Sequence, residues 1–262
     1  LNVAADPLMS LAYVGVKGGM VIVSADDPGP ISSQTEQDTR RFADFCRIPV
    51  FDPSSPEEAY KMIGEAFEYS EKYNTPVLFR PTTRVCHAYA SIDNCDSPSP
   101  KKYEGFVKDS KKWVIFPRLS FANHIMIEKR NVEIGKDFST YSANKAEGVN
   151  SEKAVVTSGI SYAYTKECLK DYPDVKLIKI ATAYPFPEDF VLSSLEGAKE
   201  VLCIEELSPF IEEQILKLAG KHGLQLKVSG KLDGKVQAGG ENSTDKIAAI
   251  LGDFLGKDFT AE

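Results

Sequence analysis

Short apolar runs recur in the first third of the chain, and their composition predicts buried strands. Met20–Val23 is continuous, apolar and β-branched, which is typical of a strand covered on both faces. Three such stretches are predicted as strands: "MVIVS" (20–24), "IPVFD" (48–52) and "TPVLFRPT" (75–82). A helical pattern, "ADPLMSLAYVGV" (5–16), precedes the first of them.

Amphipathic stretches separate these strands and predict helices. The clearest is 55–73, where a serine suits the N-cap, Pro56 suits the first turn and apolar residues fall largely on one face. Ser33 and Glu36 have the spacing of a capping box, which predicts a helix that starts near Gln34. Strand, helix, strand, helix, strand implies a parallel sheet with right-handed crossovers.

A second alternating block begins at Lys153 and predicts four strand–helix pairs. The pairs are, in order, "KAVVTSG" with "ISYAYTKECLKDY", "VKLIKIA" with "PEDFVLSSL", "EVLCIEE" with "SPFIEEQILKLAGKHG", and "LQLKVSG" with "STDKIAAILGDFL". The predicted fold class is therefore α/β, with two doubly wound, mainly parallel-sheet domains.

Residues 84–150 interrupt this alternation. They are rich in turn formers and charge, with one helical pattern that starts near Pro117. So long a connection is uncommon inside a compact domain. We therefore expect a first domain over 1–90, a linker with one helix over 91–150 and a second domain over 151–262.

Composition narrows the function classes. The 262 residues are 42% hydrophobic and 26% charged, as in a globular protein, and the net charge of −7 argues against a nucleic-acid binder. Apolar runs are too short for a membrane span, and five cysteines without a C-x-x-C pair are typical of reduced thiols in the cytoplasm. Because the sequence starts with Leu1, we expect a processed product or an excised piece.

The loop over 24–37 is the main candidate for ligand binding, because ligands in open α/β sheets gather beyond the carboxyl ends of the strands. Asp26 and Asp27 could accept hydrogen bonds from amine or hydroxyl groups of a ligand, or could serve as caps and turns. No strand is followed by a dinucleotide-binding glycine pattern or by a Walker A pattern. The residues alone leave both interpretations open.

Other polar residues carry weaker signals. Arg40 could bind a substrate carboxylate, or could be a surface arginine paired with Glu36 four residues earlier. Glu205 and Glu206 end an apolar strand, and one of them could face a cleft, although capping or solvation of the strand end is the more ordinary role. The segment 231–242 is interpreted as a tail that could wrap a neighbour, and the three histidines show no metal spacing.

Several segments resemble a known family when they are taken in order: "GGMVIVSADDPGPISSQTEQDTR", "TPVLFRPTTRVCH", "YPFPEDF", "EELSPFIEEQI" and "GKLDG". Together they are similar to the large (alpha) subunits of indolepyruvate ferredoxin oxidoreductases, within the thiamine diphosphate-dependent 2-oxoacid:ferredoxin oxidoreductases. The resemblance spans nearly the whole chain. It implies that the first domain is part of a pyrimidine-binding domain and the second a transketolase C-terminal-like domain.

The resemblance also implies an activity, cofactors and partners. The family oxidatively decarboxylates aryl pyruvates to aryl-acetyl-CoA, with thiamine diphosphate and Mg²⁺, iron–sulfur clusters elsewhere in the full enzyme, a smaller beta subunit and ferredoxin as electron acceptor. CoA and an aryl pyruvate are the substrates, and we expect an oligomer. The loop and helix would line the cofactor and substrate site, with Arg40 as the catalytic residue and, as cofactor contacts, Asp27, Pro28, Gly29, Ser33 and Gln34.

Departures from the family pattern are also informative. The glutamate that activates the thiamine ring is expected upstream of Leu1, and the Gly-Asp-Gly metal motif is absent because Gly252-Asp253 is followed by Phe254. We therefore expect no cofactor or metal to bind this chain alone, and no activity from it in isolation. Two alternatives to an enzyme fragment stay open: a non-catalytic scaffold or subunit-assembly module, and a small-molecule binding module.

Overall fold

The first part of the molecule is a small parallel sheet with flanking helices. The computed structural model describes residues 2–30, 33–93 and 105–259. Three strands lie in the order β1-β3-β2, all parallel, so the predicted parallel sheet is confirmed. The elements are α1 (Asn2–Val14), β1 (Val21–Val23), α2 (Thr39–Cys46), β2 (Val50–Phe51), α3 (Pro56–Tyr73), β3 (Val77–Phe79) and α4 (Thr83–His87).

The second part is a five-stranded sheet in the order β4-β6-β5-β7-β8. Its four predicted strands, β5 to β8 below, are all present and run parallel to one another. The elements are β4 (Lys145–Glu147), β5 (Lys153–Ser158), α7 (Ile160–Cys168), β6 (Lys176–Ile180), α8 (Glu188–Ser194), β7 (Glu200–Ile204), α9 (Phe210–His222), β8 (Lys227–Ser229) and α10 (Thr244–Leu255).

The chain segment that connects the two sheets contains a short helix, α5 (Ser110–Trp113), and a long one, α6 (Pro117–Ser139). The predicted helix is confirmed, with Pro117 in its first turn as expected. β4 also falls inside the segment predicted as a linker, and it pairs antiparallel with β6. The strand was missed because its sequence, "KAE", has no apolar signature and two of its three residues are exposed. The domain boundaries themselves stay a prediction.

Helix α3 shows how local sequence sets an element. The Oγ of Ser55 accepts the Glu58 N–H at 3.2 Å, and two glutamates in the first turn complement the positive end of the helix. The helix ends at Asn74, whose φ of 52° lies in the left-handed region that asparagine tolerates. The predicted start and end of this helix are confirmed.

The predicted start of α2 near Gln34 is wrong. α2 begins at Thr39, and its N-cap is Asp38, whose side chain accepts the Arg40 N–H at 3.0 Å. Ser33 instead donates its N–H to Asp27, and the Glu36 carboxylate accepts the N–H of Gly240 at 2.7 Å. Both members of the supposed capping box are thus engaged elsewhere, which leaves the cap to Asp38.

One hydrophobic core crosses from the first sheet to the second. Val50 and Leu78 are buried in the same cluster as Ile178 and Val201 of the second sheet. The Tyr184 carbonyl accepts the Val50 N–H at 2.7 Å, so the loop after β6 pairs with the edge of the first sheet. The two halves therefore share apolar burial and backbone hydrogen bonds.

Two smaller cores lie on either side of this shared one. An aromatic cluster between the first sheet and helices α3 and α6 centres on Phe51, whose ring packs edge-on against that of Phe138 with 5.3 Å between the ring centroids. Beneath α7 and α10, a second cluster includes Val155, Leu177 and Leu251. Among the residues described, no helix is both long enough and apolar enough to cross a membrane.

Candidate functional site

The carboxyl ends of strands from both sheets meet in a buried polar cluster. We call this the strand-end cluster: Asp26, Asp38, Arg40, Asp52, Arg80, Ser158, Glu205, Glu206 and Asn242. Asp26, Asp52 and Arg80 follow β1, β2 and β3, while Glu205 follows β7. Parallel strands place their carboxyl ends on one edge, which is why residues distant in sequence converge there.

Arg80 holds the three strand ends of the first sheet together. Its Nε donates to Asp26 at 2.6 Å and its Nη1 to Asp52 at 3.2 Å, with all three side chains buried. Asp26 also accepts the Thr39 N–H at 3.0 Å, which fixes the start of α2. Burial raises the pKa of Asp52 even though Arg80 opposes that effect.

Arg40 connects the two halves of the molecule. It is fully buried, and its Nε and Nη2 both donate to Asp38. Its Nη1 donates to Glu205 at 2.8 Å and to Ser158 at 3.3 Å. Burial alone would raise the pKa of Asp38, but the charge and hydrogen bonds of Arg40 outweigh it and lower that pKa.

The two sequence-based roles of Arg40 fare differently. The surface arginine paired with Glu36 is wrong, because Arg40 is buried and its carboxylate partners are Asp38 and Glu205. The substrate-binding role stays a prediction. Each of its three guanidinium nitrogens already donates to a protein group, so binding a substrate carboxylate would require a rearrangement.

Glu205 caps the helix that follows it. Its two carboxylate oxygens accept the N–H groups of Ile211 and Glu212, each at 2.9 Å, at the start of α9. Of the two ordinary roles expected at this strand end, capping is present, directed at the following helix, and solvation is wrong because Glu205 is buried. Burial raises its pKa, although Arg40 and the two backbone N–H groups act against that.

Glu206 is a cluster carboxyl group whose pKa lies near neutrality. Its side chain accepts the Asn242 N–H at 2.9 Å, and burial raises its pKa to about 7. Several buried polar atoms have no hydrogen-bond partner among the described residues, including Arg80 Nη2, Thr82 Oγ1 and Asn242 Oδ1. The cluster therefore holds unused donors and acceptors beside a carboxyl group that can gain or lose a proton.

The loop that precedes α2 covers one side of the cluster. Asp27 accepts the Ser33 N–H at 2.8 Å and the Thr83 hydroxyl at 2.7 Å, and Pro28 is buried. Of the two interpretations of the acidic pair, hydrogen bonding within the chain is the one present here. Ile31 and Ser32 lie outside the described residues, whereas Ser33 and Gln34 are exposed.

Gly29 packs against the segment interpreted as a tail. Its φ is +64°, and a Cβ there would lie 3.3 Å from the Cα of Gly240, so a side chain would be both strained and crowded. Next to this contact, Arg84 and Glu241 pair at 2.6 Å. The segment 231–242 thus folds back onto its own chain.

Sequence reasoning missed Asp38 and Asn242. No local pattern marks Asn242, which lies 36 residues from the Glu206 carboxylate it meets. The only early signal was that polar residues follow several strands. Among the described residues no group of three or more His, Cys, Asp or Glu side chains could hold a metal ion.

The fold has a counterpart among 2-oxoacid:ferredoxin oxidoreductases. The 2-oxoglutarate:ferredoxin oxidoreductase of Magnetococcus marinus superposes with a TM-score of 0.62 over 96% of this chain and 55% of its own. Sequence identity is 13%, so this likeness defines the fold. The predicted fold class, α/β with two mainly parallel sheets, is confirmed.

Sequence relatives are more specific. Subunit IorA of indolepyruvate oxidoreductase from Methanothermobacter thermautotrophicus is 37% identical over 260 residues, and that from Thermococcus kodakarensis is 38% identical over 265. Both alignments cover 98% of this chain but only 42% and 40% of the relatives. No family model matches the chain. The resemblance to indolepyruvate ferredoxin oxidoreductase large subunits is thus confirmed, and the chain spans about two-fifths of their length.

Proposed function

We propose that this chain is part of an enzyme that oxidatively decarboxylates aryl pyruvates, such as indolepyruvate, to aryl-acetyl-CoA with ferredoxin as electron acceptor. The observation that carries the proposal is the 32–38% identity to IorA subunits across 98% of the chain. The strand-end cluster is consistent with this proposal, because α/β folds bind ligands at the carboxyl ends of their strands and here two such sheet edges meet.

We further propose that the full enzyme uses thiamine diphosphate with Mg²⁺ and that this chain supplies one wall of the cofactor site. Unpartnered polar atoms at Arg80, Thr82 and Asn242 fit a polar ligand at the cluster. The residues fit only part of such a site, because Asp27 already accepts two hydrogen bonds within the chain. The thiamine would supply the carbanion chemistry, and the loop would orient it and exclude water.

The residues predicted as cofactor contacts over Asp27–Gln34 differ in how far their side chains are exposed to solvent. Asp27 and Pro28 are buried and would shape the wall, whereas Ser33 and Gln34 are exposed and free to approach a ligand. Arg40, proposed as catalytic, would act on the reacting carboxylate only if its bonds to Asp38 and Glu205 were exchanged. We expect the chain alone to be inactive, with the rest of the subunit, a beta subunit and iron–sulfur clusters required.

A decisive assay uses the full-length subunit with its partner subunit and follows indolepyruvate-dependent, CoA-dependent reduction of ferredoxin. Gln34→Ala should raise the thiamine diphosphate concentration needed for half-maximal activity without lowering the melting temperature. Gln37→Ala is the matched control, because it changes the same exposed residue type three positions further on. If no 2-oxoacid-dependent reduction of ferredoxin is seen, the proposed function is rejected. If Gln34→Ala and Gln37→Ala need the same thiamine diphosphate concentration, the proposal that Gln34 lines the cofactor site is rejected.

A scaffold or assembly role receives separate support from exposed apolar residues. Phe106, Phe116 and Phe121 lie between the two sheets in sequence and are 73%, 59% and 69% exposed. Clusters of this kind often mark surfaces that another protein covers. We propose that this region contacts the remainder of the enzyme, which a pull-down with a Phe116→Ser/Phe121→Ser variant would test by loss of association.

A further inference from the structure

A cavity beside helix α6 is lined by a buried guanidinium that has no acidic partner among the described residues. The cavity has a volume of about 560 Å³ and lies between α6 and the ends of α1 and α3, with α5 at its rim. Arg130 lines it from the middle of α6 and is only 9% exposed. Its Nε and Nη2 are buried and have no hydrogen-bond partner among the described residues.

A buried arginine in this condition is unusual, because leaving a charged donor unpaired in a folded protein is costly. Burial lowers the pKa of Arg130 to about 10, so the group is still charged at neutral pH. By contrast, Arg40 and Arg80 each bind two carboxylates. In the part of the chain that the structure describes, Arg130 thus lacks a counter-ion of the kind that Arg40 and Arg80 have.

Further cations surround the same cavity. Lys111, Lys112 and Lys129 line it, and none of the three forms an ion pair within the described residues. A fourth, Lys72, is paired with Asp137. Of the described lining residues, only Glu133 carries a carboxylate, and it accepts from Lys136 at 3.0 Å.

Together these residues form a positively charged cavity of the size that small ligands occupy. Four unpaired positive charges match a diphosphate group better than a single carboxylate, because a diphosphate carries several negative charges on closely spaced oxygens. Arginine donates to such oxygens in a bidentate manner and lysines act as mobile point charges.

We propose that the Arg130 cavity binds a small molecule that carries a diphosphate or comparable multivalent phosphate group. Arg130 is the central contact, with Lys129 beside it on α6 and Lys111 and Lys112 across the cavity on α5. The site lies away from the strand-end cluster and does not depend on the activity proposed above.

Titration calorimetry of this chain with inorganic pyrophosphate at constant ionic strength tests the proposal. We expect saturable binding that Arg130→Met weakens at least tenfold and that Lys129→Ala weakens severalfold. Arg118→Met is the matched control, because Arg118 is exposed on the same helix and does not line the cavity. It should leave the affinity unchanged.

Thermal melting is a second measurement, and it distinguishes loss of ligand binding from loss of folding in the Arg130→Met variant. Removing an unpaired buried charge should leave the melting temperature of the ligand-free protein equal or higher, while abolishing the rise that pyrophosphate causes in the parent. The proposal is overturned by any of three results: no pyrophosphate binding, equal affinities for Arg130→Met and Arg118→Met, or a loss of stability in Arg130→Met that shows a structural role.

Discussion

Replacing Glu206 by glutamine should remove a pH-dependent component of the stability of this protein. The carboxyl group has a pKa of 4.5 when free in solution and about 7 in the folded chain, because burial disfavours its charged form. Folding therefore favours the protonated group. The resulting stabilisation is fully present below the unfolded pKa and is lost as the pH rises through the folded one.

The size of the effect follows from the two pKa values. The whole gap between 4.5 and about 7 corresponds to about 3 kcal/mol of unfolding free energy. Applying the linkage relation between about pH 5.5 and pH 8, we expect a loss of about 2 kcal/mol over that interval. Glutamine stays neutral, and its side-chain oxygen can still accept the Asn242 N–H, so Glu206→Gln should not show this loss.

Urea unfolding at both pH values gives the required free energies. Other buried carboxyl groups, such as Asp52 and Glu205, titrate in both proteins, so their contributions cancel in the difference between parent and variant. Glu213→Gln is a suitable control because Glu213 is 40% exposed and paired with Arg41. If the stability difference between the parent and Glu206→Gln is the same at both pH values, the burial argument is refuted.

Two further predictions concern buried side chains. Arg80→Ala leaves two buried aspartates without their cation and should lower the free energy of unfolding in urea by about 3–5 kcal/mol. Arg84→Ala, at an exposed pair, should lower it by at most about 1 kcal/mol, and similar losses in the two variants would contradict this prediction. Phe138→Ala, at a fully buried ring, should cost about 3–5 kcal/mol, and Phe121→Ala, at a ring 69% exposed, should be nearly neutral. A small effect at Phe138 would mean that the aromatic cluster repacks.

Local patterns were sufficient for elements whose determinants are close in sequence. α3 carries its N-cap, its first-turn glutamates and its apolar face within 55–73, and all of these are found as expected. The order of strands and helices after Lys153 was equally predictable, since β5, β6 and β7 are short, mostly buried runs rich in β-branched or aliphatic residues.

Features fixed by distant partners were not predictable. Glu36 did not cap a helix because its carboxylate meets Gly240, 204 residues later in the chain. Arg40 looks like a surface residue by its charge, but Glu205 lies 165 residues away and neutralises it in the interior. β4 forms by backbone pairing with the edge of β6, and pairing of this kind depends on the neighbouring strand more than on the sequence of β4 itself.

The backbone pairing of Val50 and Asp52 with the loop after β6 has a consequence for dividing the protein. Their N–H groups donate to Tyr184 and Ala181, at 2.7 and 2.8 Å. A truncation that ends near residue 150 would leave β2 as an uncovered edge with unsatisfied donors, which is a template for intermolecular strand addition. A soluble first half would therefore have to carry a surrogate for residues 181–184, or be co-expressed with the second half and reassembled by complementation.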